Sequence, residues 1–180
     1  MKLDRIKFRA LKSLKGPVVA ARAAGCTVGQ GCRLYSDIST NEPWLVSIGD
    51  RVTISSGVNF VTHDGSGWLH RDEKGRRYRI APIEIGSDVF VGLGATIMPG
   101  VKIGDRCVVG SGSVVTKSIP SGHVVAGNPA RIVTTWKDFI ARVDKWPTES
   151  DMVGDNRRDQ VDSITEKEFR PFMSTDAVQD

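Results

Sequence analysis

The strongest constraint in this chain is a six-residue phase. From Ile85 it reads IGSDVF, VGLGAT, IMPGVK, IGDRCV, VGSGSV, VTKSIP. Position one is always Ile or Val, and position two is Gly in four of the six hexads. Upstream, IGDRVT, ISSGVN and FVTHDG keep the same frame from Ile48. An earlier pair, VGQGCR and LYSDIS, begins at Val28 and lies two residues out of phase with Ile48, which requires a small insertion near NEPW.

Six residues are too few for a helical repeat unit. On a strand, position five of one hexad and position one of the next face the same side, because side chains alternate with a period of two. Each hexad therefore turns a small residue and an aliphatic one inward, turns position six outward, and then bends. Glycines at positions two and four supply a permissive backbone for the bend. Stacked rungs of this kind, ~4.8 Å apart, make a parallel β-solenoid with about three hexads per triangular coil. Cys32 and Cys107 both occupy position five, where a free thiol serves as a small buried hydrophobe. Three scattered cysteines form neither a disulfide framework nor a CxxC metal site.

The rest of the chain has the composition of an ordinary soluble protein of modest charge. One domain is expected from 180 residues. The net charge of +4, without a dense basic stripe interleaved with aromatics, suits small anions and argues against nucleic acid. No window approaches ~18 consecutive apolar residues, so no stable membrane insertion is expected. MKLDRIKFRALKSLK lacks the apolar core of a secretory signal, which makes the cytoplasm the expected location.

The hexads resemble the hexapeptide-repeat acyltransferases, in the branch holding galactoside and maltose, xenobiotic and polysaccharide O-acetyltransferases. The matching stretches are IGDRVTISSGVNFVTH and IEIGSDVFVGLGATIMPGVKIGDRCVVGSGSVVTKSIPSGHVVAGNPARIV, and the resemblance spans residues 28 to 133. It implies an all-β fold, a left-handed parallel β-helix with short terminal helices. It also implies acetyl-CoA as acyl donor, no metal, and a homotrimer with active sites between subunits. The function implied is acetyl-CoA-dependent O-acetylation of a sugar or polysaccharide-precursor hydroxyl. The alternatives are an N-acetyltransferase of an amino sugar or a xenobiotic acetyltransferase and, more remotely, a non-catalytic β-helix scaffold or a γ-type zinc carbonic anhydrase.

The frame breaks after Phe60 and resumes at Ile85, leaving residues 64 to 82 as a polar excursion. His63 stands at its brink, and the resemblance makes it the general base. Acetyl-CoA is already activated, so the reaction needs no covalent nucleophile. It needs a group that removes a proton from the attacking hydroxyl, and imidazole, with an ordinary pKa of ~6.5, suits that task. The orienting partner of its second nitrogen is left open among Asp64, Glu84 and a backbone carbonyl.

The resemblance also assigns donor contacts to Phe90, the Leu93 amide, Ser111, Thr116, Lys117 and Arg131. Acceptor contacts fall to Asn59, Asp37 and Tyr35. His70 carries no motif and is a candidate acceptor contact only as a residue of the excursion, while His123, in the closing turn, is read as structural. The bland readings are solvated surface residues for the cations and His70, and a trimer contact for Phe90.

The expected organisation is an N-terminal capping helix at 1–16, a β-helix at 17–133 with its excursion, a C-terminal helix at 134–146 and a polar tail at 147–180. Leu3, Ile6, Ala10 and Leu14 would form the apolar side of the first helix, whose basic face either caps the coil or touches an anionic membrane. Thr135 would cap the C-terminal helix with Asp138 three residues on, and Trp136, Phe139, Ile140 and Val143 would form its apolar stripe.

Overall fold

The computed structural model describes residues 5–171, in two compact units divided after Ile140. The first is a parallel coil with three faces. Face one stacks Thr27–Val28, Val46–Ile48, Ile83–Ile85 and Lys102–Ile103. Face two stacks Arg33–Leu34, Thr53–Ile54, Phe90–Val91, Val108–Val109 and His123–Ala126. Face three stacks Asn59–Phe60, Thr96–Ile97 and Val114–Val115.

The register measures the coil. Ile85 pairs with Ile103, Val91 with Val109 and Ile97 with Val115, so one turn takes eighteen residues, or three hexads. Two turns are longer. Val28 pairs with Ile48 and Leu34 with Ile54, a step of twenty. Ile48 pairs with Ile85, Ile54 with Val91 and Phe60 with Ile97, a step of thirty-seven. The first excess is taken up around Pro43–Leu45, a short 3₁₀ turn, and the second equals the length of segment 64–82.

Every position-one and position-five residue from Ile85 to Ile119 is buried, and each large aliphatic among them contributes about 1.5–3 kcal/mol of transfer free energy. Cys107 is fully buried, while Cys32 is half-buried against the core. The glycines divide into two kinds that the repeat alone does not separate. At position two the next coil presses close: a Cβ on Gly92 would lie 2.6 Å from the Ser111 nitrogen and 2.8 Å from the Val109 oxygen. At position four the backbone is left-handed, as at Gly94 with φ +69°. Arg51, Asp88 and Arg106 take the same conformation at φ 54°, 58° and 53°. Permissive φ therefore explains position four, and close stacking explains position two.

One corner carries a ladder of side chains that cap the amides of neighbouring coils. Asp50 accepts from the Gln30 amide at 2.7 Å, Ser87 from Asp50 at 3.1 Å, Asp105 from Ser87 at 2.7 Å and Ser121 from Asp105 at 3.0 Å. Asp50, Ser87 and Asp105 are position-three residues, and Ser121 takes the equivalent place because the last coil is two residues shorter. The stacked coils thus also satisfy the polar groups at the turn.

The ends differ from the expectation in three ways. The N-terminal segment is two helices, α1 (Arg5–Lys15) and α2 (Pro17–Ala24), because Gly16-Pro17 breaks one helix and starts the next with Pro in its first turn. Of the predicted apolar side, Ile6, Ala10 and Leu14 are exposed, while Phe8 and Leu11 are half-buried; Leu3 lies outside the described residues. The coil also does not end in parallel register. After Gly127 the chain reverses, and Arg131–Thr135 returns antiparallel to His123–Ala126.

The helix α3 (Trp136–Val143) follows, with the Asp138 amide donating to the Thr135 hydroxyl at 3.1 Å and Trp136 packed on Phe139 at a ring distance of 5.9 Å. In the second unit the polar tail contains a further helix, α4 (Arg157–Ile164). The Asn156 side chain caps it, accepting from the amides of Arg158 and Asp159 at 2.9 and 3.1 Å. Low apolar content obscured this helix in the sequence, and its cap supplies what burial does not.

Candidate active site

His63 and Asp64 form the root of the excursion. His63–Asp64 pairs antiparallel with Arg79–Ile80, and Arg71–Asp72 pairs with Gly75–Arg76 further out. The segment is thus a hairpin flap anchored to the coil, where the Ala81 amide donates to the Thr62 carbonyl at 2.9 Å.

The partner of His63 is Glu42, a residue the sequence reading did not consider. His63 Nδ1 lies 3.0 Å from Glu42 Oε2. The same oxygen accepts from the Thr62 hydroxyl at 2.7 Å and from the Thr40 hydroxyl at 3.4 Å, and the two threonine hydroxyls also bond to each other. Thr62 is fully buried, the Glu42 side chain is 17% exposed, and that of His63 is 42% exposed. Burial pushes the Glu42 carboxyl up. The hydrogen bonds from Thr62 and His63 outweigh it, with the His63 charge adding to them, and hold the group below the usual glutamate range.

Neither proposed acidic partner reaches the imidazole. Asp64 turns to the excursion and accepts from the Ser66 amide at 2.9 Å, while Glu84 pairs with Lys102 at 2.9 Å. Glu42 sits in the two-residue insertion around NEPW. The phase slip there was the available signal.

Two cavities open beside His63. The larger, about 790 Å³, is walled by Phe8 and Arg9 of α1, by Asp37 to Thr40 of the first coil, and by Phe60 to His63. The smaller, about 210 Å³, lies between Asn41, Glu42, His63 and the flap residues Arg76, Tyr78, Arg79 and Ile80. Asp37 joins the larger cavity and is paired with Lys12 at 2.6 Å.

The other predicted acceptor residues lie apart from both cavities. Tyr35 is exposed on the first coil, and Asn59 donates to the Gly57 carbonyl at 3.2 Å. His70 stands on the flap, 3.7 Å from Asp72. The predicted donor residues are spread along later coils. Phe90, Leu93, Ser111, Thr116, Lys117 and Arg131 are all exposed, with the Leu93 carbonyl accepting from the Gly112 amide at 2.8 Å. The His123 ring nitrogen lies 2.9 Å from the Ser121 carbonyl. Among the described residues no group of three His, Cys, Asp or Glu side chains is placed to hold a metal ion. No described helix is long and apolar enough to cross a membrane.

Comparison with known proteins places this geometry in a family. Residues 82–117 match the family described as hexapeptide repeat of succinyl-transferase. Protein CapG of Staphylococcus aureus is 43% identical over 125 residues, which cover 68% of this chain and 73% of CapG. Galactoside O-acetyltransferase of Escherichia coli K12 is 34% identical over 122 residues, covering 68% of this chain and 60% of that enzyme, less than two thirds of its length. Among solved structures, a hexapeptide-repeat containing acetyltransferase of Vibrio cholerae, VCA0836, shares the fold with a TM-score of 0.55 at 24% identity, covering 73% of this chain and 94% of that one. The chain belongs to the hexapeptide-repeat acetyltransferases, a family of acyl-transferring enzymes.

Proposed function

We propose that the protein is an acetyl-CoA-dependent O-acetyltransferase of saccharide hydroxyls, with His63 as general base and Glu42 as the residue that positions it. The observation that carries this reading is the 3.0 Å contact between His63 Nδ1 and Glu42 Oε2. An ionised Glu42 takes the Nδ1 proton as a hydrogen bond, which leaves the basic lone pair on Nε2. Thr40 and Thr62 hold the carboxylate in place, so the tautomer is fixed before substrate arrives.

The acceptor oxygen attacks the thioester carbonyl as its proton passes to Nε2, forming the new C–O bond. The tetrahedral intermediate collapses with cleavage of the C–S bond, and the departing thiolate takes the proton back from the imidazolium. The products are an acetyl ester and free CoA, and no acyl-enzyme forms. A backbone amide at Leu93 would stabilise the oxyanion. Phe90, Ser111 and Thr116 would line the pantetheine and nucleotide, and Lys117 and Arg131 would balance the phosphates. Asp37, Tyr35, Asn59 and His70 remain acceptor contacts of this reading, with Asp37 the one that already lines a cavity beside His63.

A left-handed coil, a homotrimer with sites shared between subunits and a cytoplasmic location belong to the same reading. The exposed Phe90 and Leu93 on the coil surface support subunit contacts. The test is release of CoA thiol from acetyl-CoA across sugars, nucleotide-sugars, amino sugars and antibiotics. Saccharide-dependent release with an ester product supports the reading. Release only with amine acceptors, or with none, overturns it.

A further inference from the structure

We propose that the acceptor is an anionic saccharide, whose carboxylate or phosphate is held by Arg76 and Arg79 in the smaller cavity while the reacting hydroxyl lies at His63. This rests on the acetyltransferase reading and adds the acceptor's charge to it.

The two cavities meet at His63. The larger has the volume of pockets that enclose a whole small ligand. The smaller suits a single substituent. The reacting hydroxyl must reach His63, so a saccharide ring in the larger cavity would carry a neighbouring substituent into the smaller one.

What that substituent meets is set by hydrogen-bond donors. Formal charges in the smaller cavity cancel, two arginines against Glu42 and Asp64, but the hydrogen bonds do not. Glu42 already accepts from Thr62 and engages His63, and Asp64 accepts from the Ser66 amide. Among the described residues neither Arg76 nor Arg79 makes an ion pair with a carboxylate. By contrast their neighbour Arg77 is paired with Asp72.

Arg76 is also held in place. Its guanidinium lies 4.9 Å from the centre of the Tyr78 ring, a stacking that leaves the in-plane N–H groups available for a planar or tetrahedral oxyanion. Arg79 sits opposite Asp64 in the strand pair at the flap root, one step from His63. Arg79 feels the charge of Asp64 without bonding to it. Two forked donors beside the proposed base, neither in a salt bridge with a protein carboxylate among the described residues, are suited to an oxyanion supplied by the substrate.

Acetyl-CoA is anionic too, but its proposed contacts, Phe90 to Arg131, lie on coils that follow His63. Both cavities draw instead on coils up to His63, together with α1 and the flap.

The experiment uses the full chain and matched acceptors: methyl glucuronide, its uncharged methyl ester, and a hexose phosphate beside its parent hexose. Thiol release should favour a charged member of a pair by about tenfold or more in kcat/KM, and the pair that shows it separates a carboxylate from a phosphate source. The R76Q/R79Q double variant, folded by circular dichroism, should lose that preference through a raised KM for the charged acceptor, with KM for acetyl-CoA unchanged. Equal use of charged and neutral members, or a raised KM for acetyl-CoA instead, overturns the inference and leaves the acetyltransferase reading standing.

Calorimetric titration without CoA separates the two failures. Methyl glucuronide or hexose phosphate binding to the wild type and not to the variant sustains the inference even where no acetyl transfer is found. No binding of either charged sugar to the wild type sinks it.

Discussion

The coils from Ile83 to Ile119 and the two before them are built from the same hexads, yet they differ in what they can carry. In the later coils the step is eighteen residues, shortening to sixteen only at the last, and inward positions and glycines recur in one frame. In the earlier coils the step is twenty and then thirty-seven. The proposed base and the carboxylate beside it lie where the period fails. The two-residue insertion delivers Glu42, the nineteen-residue insertion begins just after His63, and the two side chains meet at 3.0 Å. A repeat offers each coil the same side-chain geometry, so a site with unlike groups facing one another needs the repeat to be broken. Two breaks on successive coils, facing each other, turn a scaffold into a pocket.

The largest effect expected from this contrast is on turnover. His63→Ala should lower kcat by about 10²- to 10⁴-fold, the range for loss of a general base, while the melting curve stays near wild type. Full activity in that variant would detach the chemistry from the broken region. Glu42→Gln should lower kcat by about 10- to 10²-fold, less than loss of the imidazole itself, because a base remains but its tautomer is no longer held. The fall should appear in kcat with little change in acceptor KM, which a general loosening of the pocket would not produce.

The fold was legible in the sequence because it is periodic. Burial of Val89, Ala95, Val101 and Cys107 follows from counting in sixes. His63 was legible as the residue beside the large gap in the count. Glu42 was not, since an insertion of two residues announces a bulge without saying which side chain it aims. Burial in α1 was misassigned because Ile6, Ala10 and Leu14 fit a helical stripe as well as Phe8 and Leu11 do, and only the coil's end decides between them. The antiparallel return at Arg131–Thr135 escaped because its hexad-like composition suits either strand direction.

In the regular region the glycines separate two physical demands. Gly92→Ala places a methyl against the backbone of the next coil and should cost about 1–3 kcal/mol in chemical denaturation, as overpacking does. Gly94→Asn should cost much less. Nothing lies within 4 Å of a Cβ there, and Asp88 already occupies the equivalent left-handed position. Equal costs for the two would mean that backbone conformation, not stacking distance, governs both positions.

The smallest expected effects are in stability, and they contrast a shielded carboxylate with an exposed one. Glu42 titrates below its ordinary value of 4.5 in the folded chain. Its ionised form therefore stabilises the fold above that value, and the contribution is lost as pH falls through the lower folded one. The melting-temperature gap between wild type and Glu42→Gln should narrow on acidification below about pH 4.5 and respond weakly to salt, because Thr40, Thr62 and His63 surround the carboxylate.

Asp88 is also held below its usual range, chiefly by the hydrogen bond from Arg51, whose guanidinium approaches both carboxylate oxygens at 2.6 and 2.8 Å. This pair stands on the coil surface, where solvent and ions compete for both partners. Asp88→Asn should change the melting temperature only slightly at low salt, and the difference should vanish at high salt. A salt-insensitive loss at Asp88 as large as that at Glu42 would show that the regular corner depends on its ion pair, and that the broken region is not alone in relying on specific polar contacts.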